Sequence, residues 1–166
     1  MATVLQVLDP AGAQFLATAF PASSKKGTSF PVYSLGFDAA TDEAAHWMFR
    51  ATNYGSGNLT VAIDWYADTG TSGDVVWEVQ IAAITPDTDT TDVETKSLAT
   101  LNNVTDTHLG TTGQRLHRAS VTVSNLDSLA NGDDVWLRLA RDANNAADTM
   151  TGDANVTLVT VSYSDV

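Results

Sequence analysis

The chain has no cysteine, so it holds neither a disulfide framework nor a thiolate metal site, and its fold rests on packing or on association. Cations are scarce as well: 8 Lys and Arg against 20 Asp and Glu give a formal charge of -12. They are scattered, with Lys25-Lys26 the one adjacent pair, and a surface of that sign repels phosphate, which excludes nucleic acid as a partner. No stretch approaches the length of a membrane span, so no membrane partner is expected. The first apolar residues lack a preceding basic region and are interrupted by Asp9-Pro10, so no signal peptide is read and synthesis in a cytoplasm is expected. There is no helical period of conviction and no repeat of fixed length. Catalytic strings are missing too. No GxSxG elbow and no HExxH occur, and Gly55-Ser56-Gly57 precedes a strand-like run where a phosphate loop needs a helix. The chain is read as a non-enzyme.

Alternation of period two is what the sequence does have. In residues 57 to 84, Leu59, Val61, Ile63 and Trp65 share one face, and Val75, Trp77, Val79 and Ile81 repeat the pattern after a Gly/Ser/Thr/Asp turn. This stretch reads as a long β-hairpin with an apolar inner face and a mostly polar outer one. Similar runs occur at Tyr33 to Phe37, Ala45 to Phe49, Gln114 to Val123, Asp134 to Arg141 and Asn155 to Tyr163, with an edge strand expected near Lys96 to Leu101. The implied fold is all-β: an antiparallel β-sandwich of the jelly-roll type over residues 29-166, long enough to bury a core unaided. Residues 1-28 differ. Two short apolar pieces, Thr3 to Leu8 and Gln14 to Ala19, followed by the loop Pro21 to Gly27, read as an N-terminal arm that packs on something else, or equally as an extra strand pair of the same domain.

Candidate chemistry is sparse. Asp87, Asp89, Asp92 and Glu94 carry alternating carboxylates of the kind that converge on calcium, as do Asp142, Asp148 and Asp153. Neither set has the glycine and distal glutamate of an EF-hand, and such residues are ordinary turn formers. No cofactor is required, and calcium is the ion left open. His108 and His117 can approach across a loop and strand, but no close ligand pair exists among the histidines. Trp47, Phe49, Trp65 and Trp77 fall in phase with core residues. Trp136 falls opposite Val135, Leu137 and Leu139, on the side of Arg138, while Tyr66 and Val76 point outward on the expected hairpin. Outward Trp, Arg and Tyr have the composition of an interface hot spot or a sugar-stacking platform. With the arm residues Val4, Leu5, Val7, Phe15 and Leu16, they form the candidate interface.

The order FDAATDEAAHWMFRA, YGSGNLTVAIDWYADTGTSGDVVWEV, a Thr/Asp-rich stretch, and DDVWLRLARDANNAADTMTGDANVTLVTVSY resembles small jelly-roll virion proteins of tailed bacteriophages, most nearly head decoration or cement proteins. The resemblance covers residues 30 to 163. It implies a non-enzymatic homotrimer on the outer capsid surface of the virion, bound to the major capsid protein and stabilising the head. The alternative is a carbohydrate-binding β-sandwich module, such as a domain of a phage tail or fibre, with Trp136 and Tyr66 as its stacking surface and a structural calcium ion.

Overall fold

The computed structural model describes residues 2–166. Its strands are β1 (Thr3–Leu8), β2 (Ala22–Lys26), β3 (Val32–Phe37), β4 (Glu43–Arg50), β5 (Leu59–Ala67), β6 (Asp74–Ile84), β7 (Asn102–Thr107), β8 (His117–Val123), β9 (Asp134–Arg141) and β10 (Ala154–Ser164). A 3-10 turn at Pro10–Gly12, capped by Asp9, is the one helical piece among the described residues. Two antiparallel sheets result. Sheet A has the order β2-β3-β10-β5-β8, with β1 also on β10, and sheet B has the order β4-β9-β6-β7. From β3 onward the chain changes sheet at every connection except β6 to β7, which makes the jelly-roll sandwich that the alternation implies.

The inner faces carry the expected residues. Leu59, Val61, Ile63 and Trp65 of β5 face Val75, Trp77, Val79 and Ile81 of β6, and all are fully buried. Each such side chain contributes about 1.5–3 kcal/mol through the apolar surface it withdraws from water. Trp77 meets Phe37 edge-on at 5.3 Å and Trp65 at 6.2 Å, tying the two layers together.

Residues 57 to 84 are nevertheless not a hairpin. β5 pairs with β10 and β8, whereas β6 pairs with β9 and β7. Two equally apolar faces bury more by stacking across the core than by lying side by side. The Gly-rich turn is therefore an arch between sheets. The expected edge strand at 96 to 101 is displaced to β7.

The first 28 residues lie on the sandwich of their own chain. β1 pairs with β10 over six positions, from Thr3 opposite Ser164 to Leu8 opposite Val159. β2 pairs with β3 where a loop was expected, and Gln14 to Ala19 forms no strand, making only a bridge to His46 and a backbone bond from Ala44.

One consequence of this pairing shapes the surface. β3 holds β10 only at Ala154–Val156, and β1 takes over at Val159. In the gap, Thr157 is an extra residue against β5, since Val156 pairs with Trp65 and Leu158 with Asp64. A bulge therefore sits where two edge partners diverge, on the outer face of sheet A.

Candidate functional site

The bulge opens into a cleft of about 700 Å³. Thr157 and Tyr66 form its floor. The β2–β3 hairpin supplies one wall through Lys26, Phe30, Val32 and Tyr33, Asp9 and Pro10 flank it, and the β7–β8 loop brings Gln114 and Leu116. Phe30 and Leu116 are 71% and 60% exposed, and Tyr33 is 38% exposed. Exposed apolar rings and chains around one depression form a surface on which a planar apolar ligand face can stack.

Tyr66 is held flat. Its hydroxyl lies 3.4 Å from Ser34 Oγ on β3, so the ring reaches across β10. Ser34 in turn contacts Ser24 Oγ at 3.0 Å and Asn155 Oδ1 at 3.4 Å, while Asn155 Nδ2 is buried without a partner. Lys26 pairs with Asp68 at the end of β5, passing over the strands between. Gln114 Nε2 donates to the Asp68 carbonyl at 2.6 Å, and Thr157 Oγ1 to the Asp64 carbonyl at 3.2 Å. Beside the cleft, Arg118 donates to both oxygens of Asp64 at 2.6 and 2.7 Å. Asp153 is pushed above the usual carboxylate range, by burial first and then by Asp38 and Asp68.

The residues expected to form one interface are dispersed. Tyr66 lies on the outer face of sheet A and Trp136 on that of sheet B, so they cannot share a stacking surface. Val76 is buried: its backbone N–H donates to Asp148 Oδ2 at 3.0 Å and its carbonyl accepts from Asp142 N at 3.0 Å. Trp136 stands over a depression of about 170 Å³ closed by Val93, Lys96 and Leu98 of the β6–β7 connection. That connection is pinned by Ala99 N to the Ile81 carbonyl at 2.8 Å and by the Lys96–Asp127 ion pair at 2.9 Å. Arg138 binds Gln80 Oε1 at 3.1 Å on the adjacent strand. Val4 packs on the core, whereas Leu5 and Val7 are each 60% exposed. Phe15 contacts Phe20 at 5.6 Å, and Leu16 is exposed beside it.

The calcium candidates do not converge. Asp87, Asp89, Asp92 and Glu94 are all exposed, with Asp89 accepting from Thr85 N at 2.8 Å and Asp92 from Glu94 N at 2.9 Å. Asp148 is committed to Arg141 at 2.7 Å. No group of three His, Asp or Glu suited to a metal ion occurs among the described residues. His108 and His117 do meet, with ring centroids 4.4 Å apart, and His117 stacks on Trp65.

The cleft was missed in the sequence because its residues come from five separate segments and the bulge at Thr157 is set by tertiary pairing. One signal was present: Phe30-Pro31 follows Gly27 in a short link between strands, where an aromatic has little to pack on.

No protein-family model matches the chain, and no curated protein sequence does. Among solved structures, it is similar to the CBM36-1 domain of a multidomain xylanase from the hindgut metagenome of Trinervitermes trinervoides, with TM-score 0.53 and 9% identity over 98% of this chain and 100% of that one. It is also similar to the xylan-binding module CBM15, with TM-score 0.54 and 11% identity over 99% of each chain. A family 35 carbohydrate binding module from Clostridium thermocellum gives TM-score 0.51 and 12% identity over 95% of this chain and 97% of that one. At these identities the likeness is one of fold. It overturns the capsid-decoration reading, since the neighbours are carbohydrate-binding modules and not phage proteins. Alternating aromatic strands and Thr/Asp-rich loops belong to jelly rolls at large, so they carried the fold and not the virion role.

Proposed function

We propose that this chain is a non-catalytic carbohydrate-binding module that holds an uncharged polysaccharide in the cleft on sheet A. The observation that carries the reading is the cleft itself, where exposed Phe30, Tyr33 and Leu116 surround polar groups of Gln114, Thr157 and Lys26. Pyranose rings present an apolar C–H face and a rim of hydroxyls, and such walls serve both. The carboxylates of the cleft are engaged: Asp9 Oδ1 accepts from Ala11 N at 2.7 Å, and Asp68 holds Lys26. Neither is arranged as a free acid or base. Lys26 in the lining and Arg118, paired with Asp64 of β5, are neutralised by Asp68 and Asp64 in a chain of net charge -12, which favours neutral chains over uronates.

Affinity electrophoresis against soluble xylan, mixed-linked β-glucan, mannan and polygalacturonate tests the reading. At least one neutral polymer is expected to retard the protein, with retardation lost in Phe30→Ala and Tyr33→Ala, two exposed positions whose truncation leaves the core intact. Retardation by none of the polymers, or retardation untouched by both substitutions, overturns it.

A further inference from the structure

His108 and His117 open and close the loop that joins β7 to β8, and both are buried, each 5% exposed. His117 lies against Trp65 at 4.7 Å and 23°, and Trp65 Nε1 donates to Asp106 Oδ2 at 2.7 Å. The loop's own backbone fixes the charge state of the two rings. Leu109 N–H donates to His117 Nε2 at 3.0 Å, and Gly110 N–H donates to His108 Nδ1 at 3.0 Å. Each of those ring nitrogens must offer a lone pair, so both imidazoles are neutral. The remaining protons follow: His108 Nε2 donates to the Gly113 carbonyl at 3.0 Å, and His117 Nδ1 is buried and makes no hydrogen bond of good geometry.

A further proton on His117 would set its Nε2–H against the Leu109 N–H and remove an anchor of the loop. The groups facing the pair divide as follows. His108 and the Arg115 guanidinium oppose a proton on His117, Asp106 on β7 and the Arg115 backbone favour one, β5 contributes only the Trp65 indole, and on β8 the Arg118 guanidinium is tied to Asp64. Burial outweighs Asp106, and His117 is held below the ordinary histidine range. The same loop forms a wall of the cleft through Gln114 and Leu116, and Gln114 ties it to the end of β5.

We infer that protonation of His117 releases the β7–β8 loop and opens the cleft wall, so that glycan is held at neutral pH and let go in acid. Retention of glycan rests on the function proposed above, whereas release of the loop does not. An open loop admits water to the ring, so the proton is taken up more readily by the open form and drives the equilibrium towards it.

Amide hydrogen exchange by NMR on the full chain at pH 7.5 and 5.5, corrected for intrinsic rates, reads the loop without any ligand. Protection of Leu109 and Gly110 is expected to fall as pH drops below the ordinary histidine value of about 6.5, by up to about tenfold per pH unit until the lowered folded-state value is reached, while Ile63 and Val159 in the middle of sheet A keep theirs. In His117→Gln, whose side-chain oxygen accepts from Leu109 without titrating, Leu109 is expected to stay protected at both values. Binding of soluble xylan, measured in parallel, is expected to weaken at least tenfold between pH 7.5 and 5.5 in the unsubstituted chain. Protection of Leu109 and Gly110 that ignores pH overturns the inference, whatever xylan does. Failure of xylan and the other neutral polymers to bind at pH 7.5 instead counts against the proposed function, and the exchange data then decide the loop alone.

Discussion

Arg141 is the residue on which the interior depends most sharply. It continues the inward phase of Val135, Leu137 and Leu139, is fully buried, and pairs with Asp148 at 2.9 and 2.7 Å. Its remaining donors reach the carbonyls of Gly152 at 2.9 Å, Met150 at 2.8 Å and Phe37 at 3.3 Å. Removing one partner strands a charge in the core, so Asp148→Ala is expected to cost about 3–5 kcal/mol. Replacing both residues, as in Arg141→Met with Asp148→Leu, is expected to cost less than the single change. Denaturant midpoints of the three proteins check both statements, and a mild effect of Asp148→Ala would contradict them. The phase of Arg141 was readable from β9, but its partner, in a loop of Asp and Asn residues, was not. Asp148 was set beside Asp142 and Asp153 as a calcium ligand, because alternation says which way a strand residue points and nothing about where a loop carboxylate arrives.

At the scale of elements, strand existence was legible and strand partnership was not. β1, β4, β9 and β10 lie within a residue or two of the expected runs, because their inner positions are mostly apolar at period two. Which strand lies beside which depends on contacts far apart in sequence, and that is why β5 and β6 were expected as a hairpin. The arch between them depends on Gly73, whose φ is +102 and where a Cβ would sit 2.9 Å from Met150 Cα. Gly73→Ala is therefore expected to destabilise by about 1–3 kcal/mol, again read from a denaturation midpoint. β1 tests the placement of the N-terminal segment. Deleting residues 2 to 8 uncovers the edge of β10 from Val159 to Ser164 and removes the buried Leu8. A marked loss of stability is expected where a detachable arm would leave the sandwich unaffected.

For the whole molecule, charge and pH act together. His117 and His46 are both held below the ordinary histidine range, by burial first, then by His108 in one case and Arg138 in the other. Above about pH 6.5 both are neutral, folded or unfolded, and their stabilising share is complete. As pH falls below that value the unfolded chain binds protons that the folded chain refuses, and stability declines, by up to about tenfold in the folding equilibrium per histidine and pH unit. Glu43 and Asp153 act in the opposite sense. Burial and neighbouring carboxylates raise both, so as pH falls through their raised folded-state values protonation relieves the fold and offsets part of the loss. Melting temperatures between pH 7.5 and 5.5 are expected to fall, and His117→Gln to flatten the slope. The central claim, a neutral glycan seated on sheet A, is tested most directly by chemical-shift mapping of the labelled chain titrated with neutral xylo-, gluco- and manno-oligosaccharides at pH 7.5. Saturable shifts at Phe30, Tyr33, Tyr66, Gln114 and Leu116 are predicted. Shifts gathered instead around Trp136 on sheet B, or none with any of the oligosaccharides, would contradict the account.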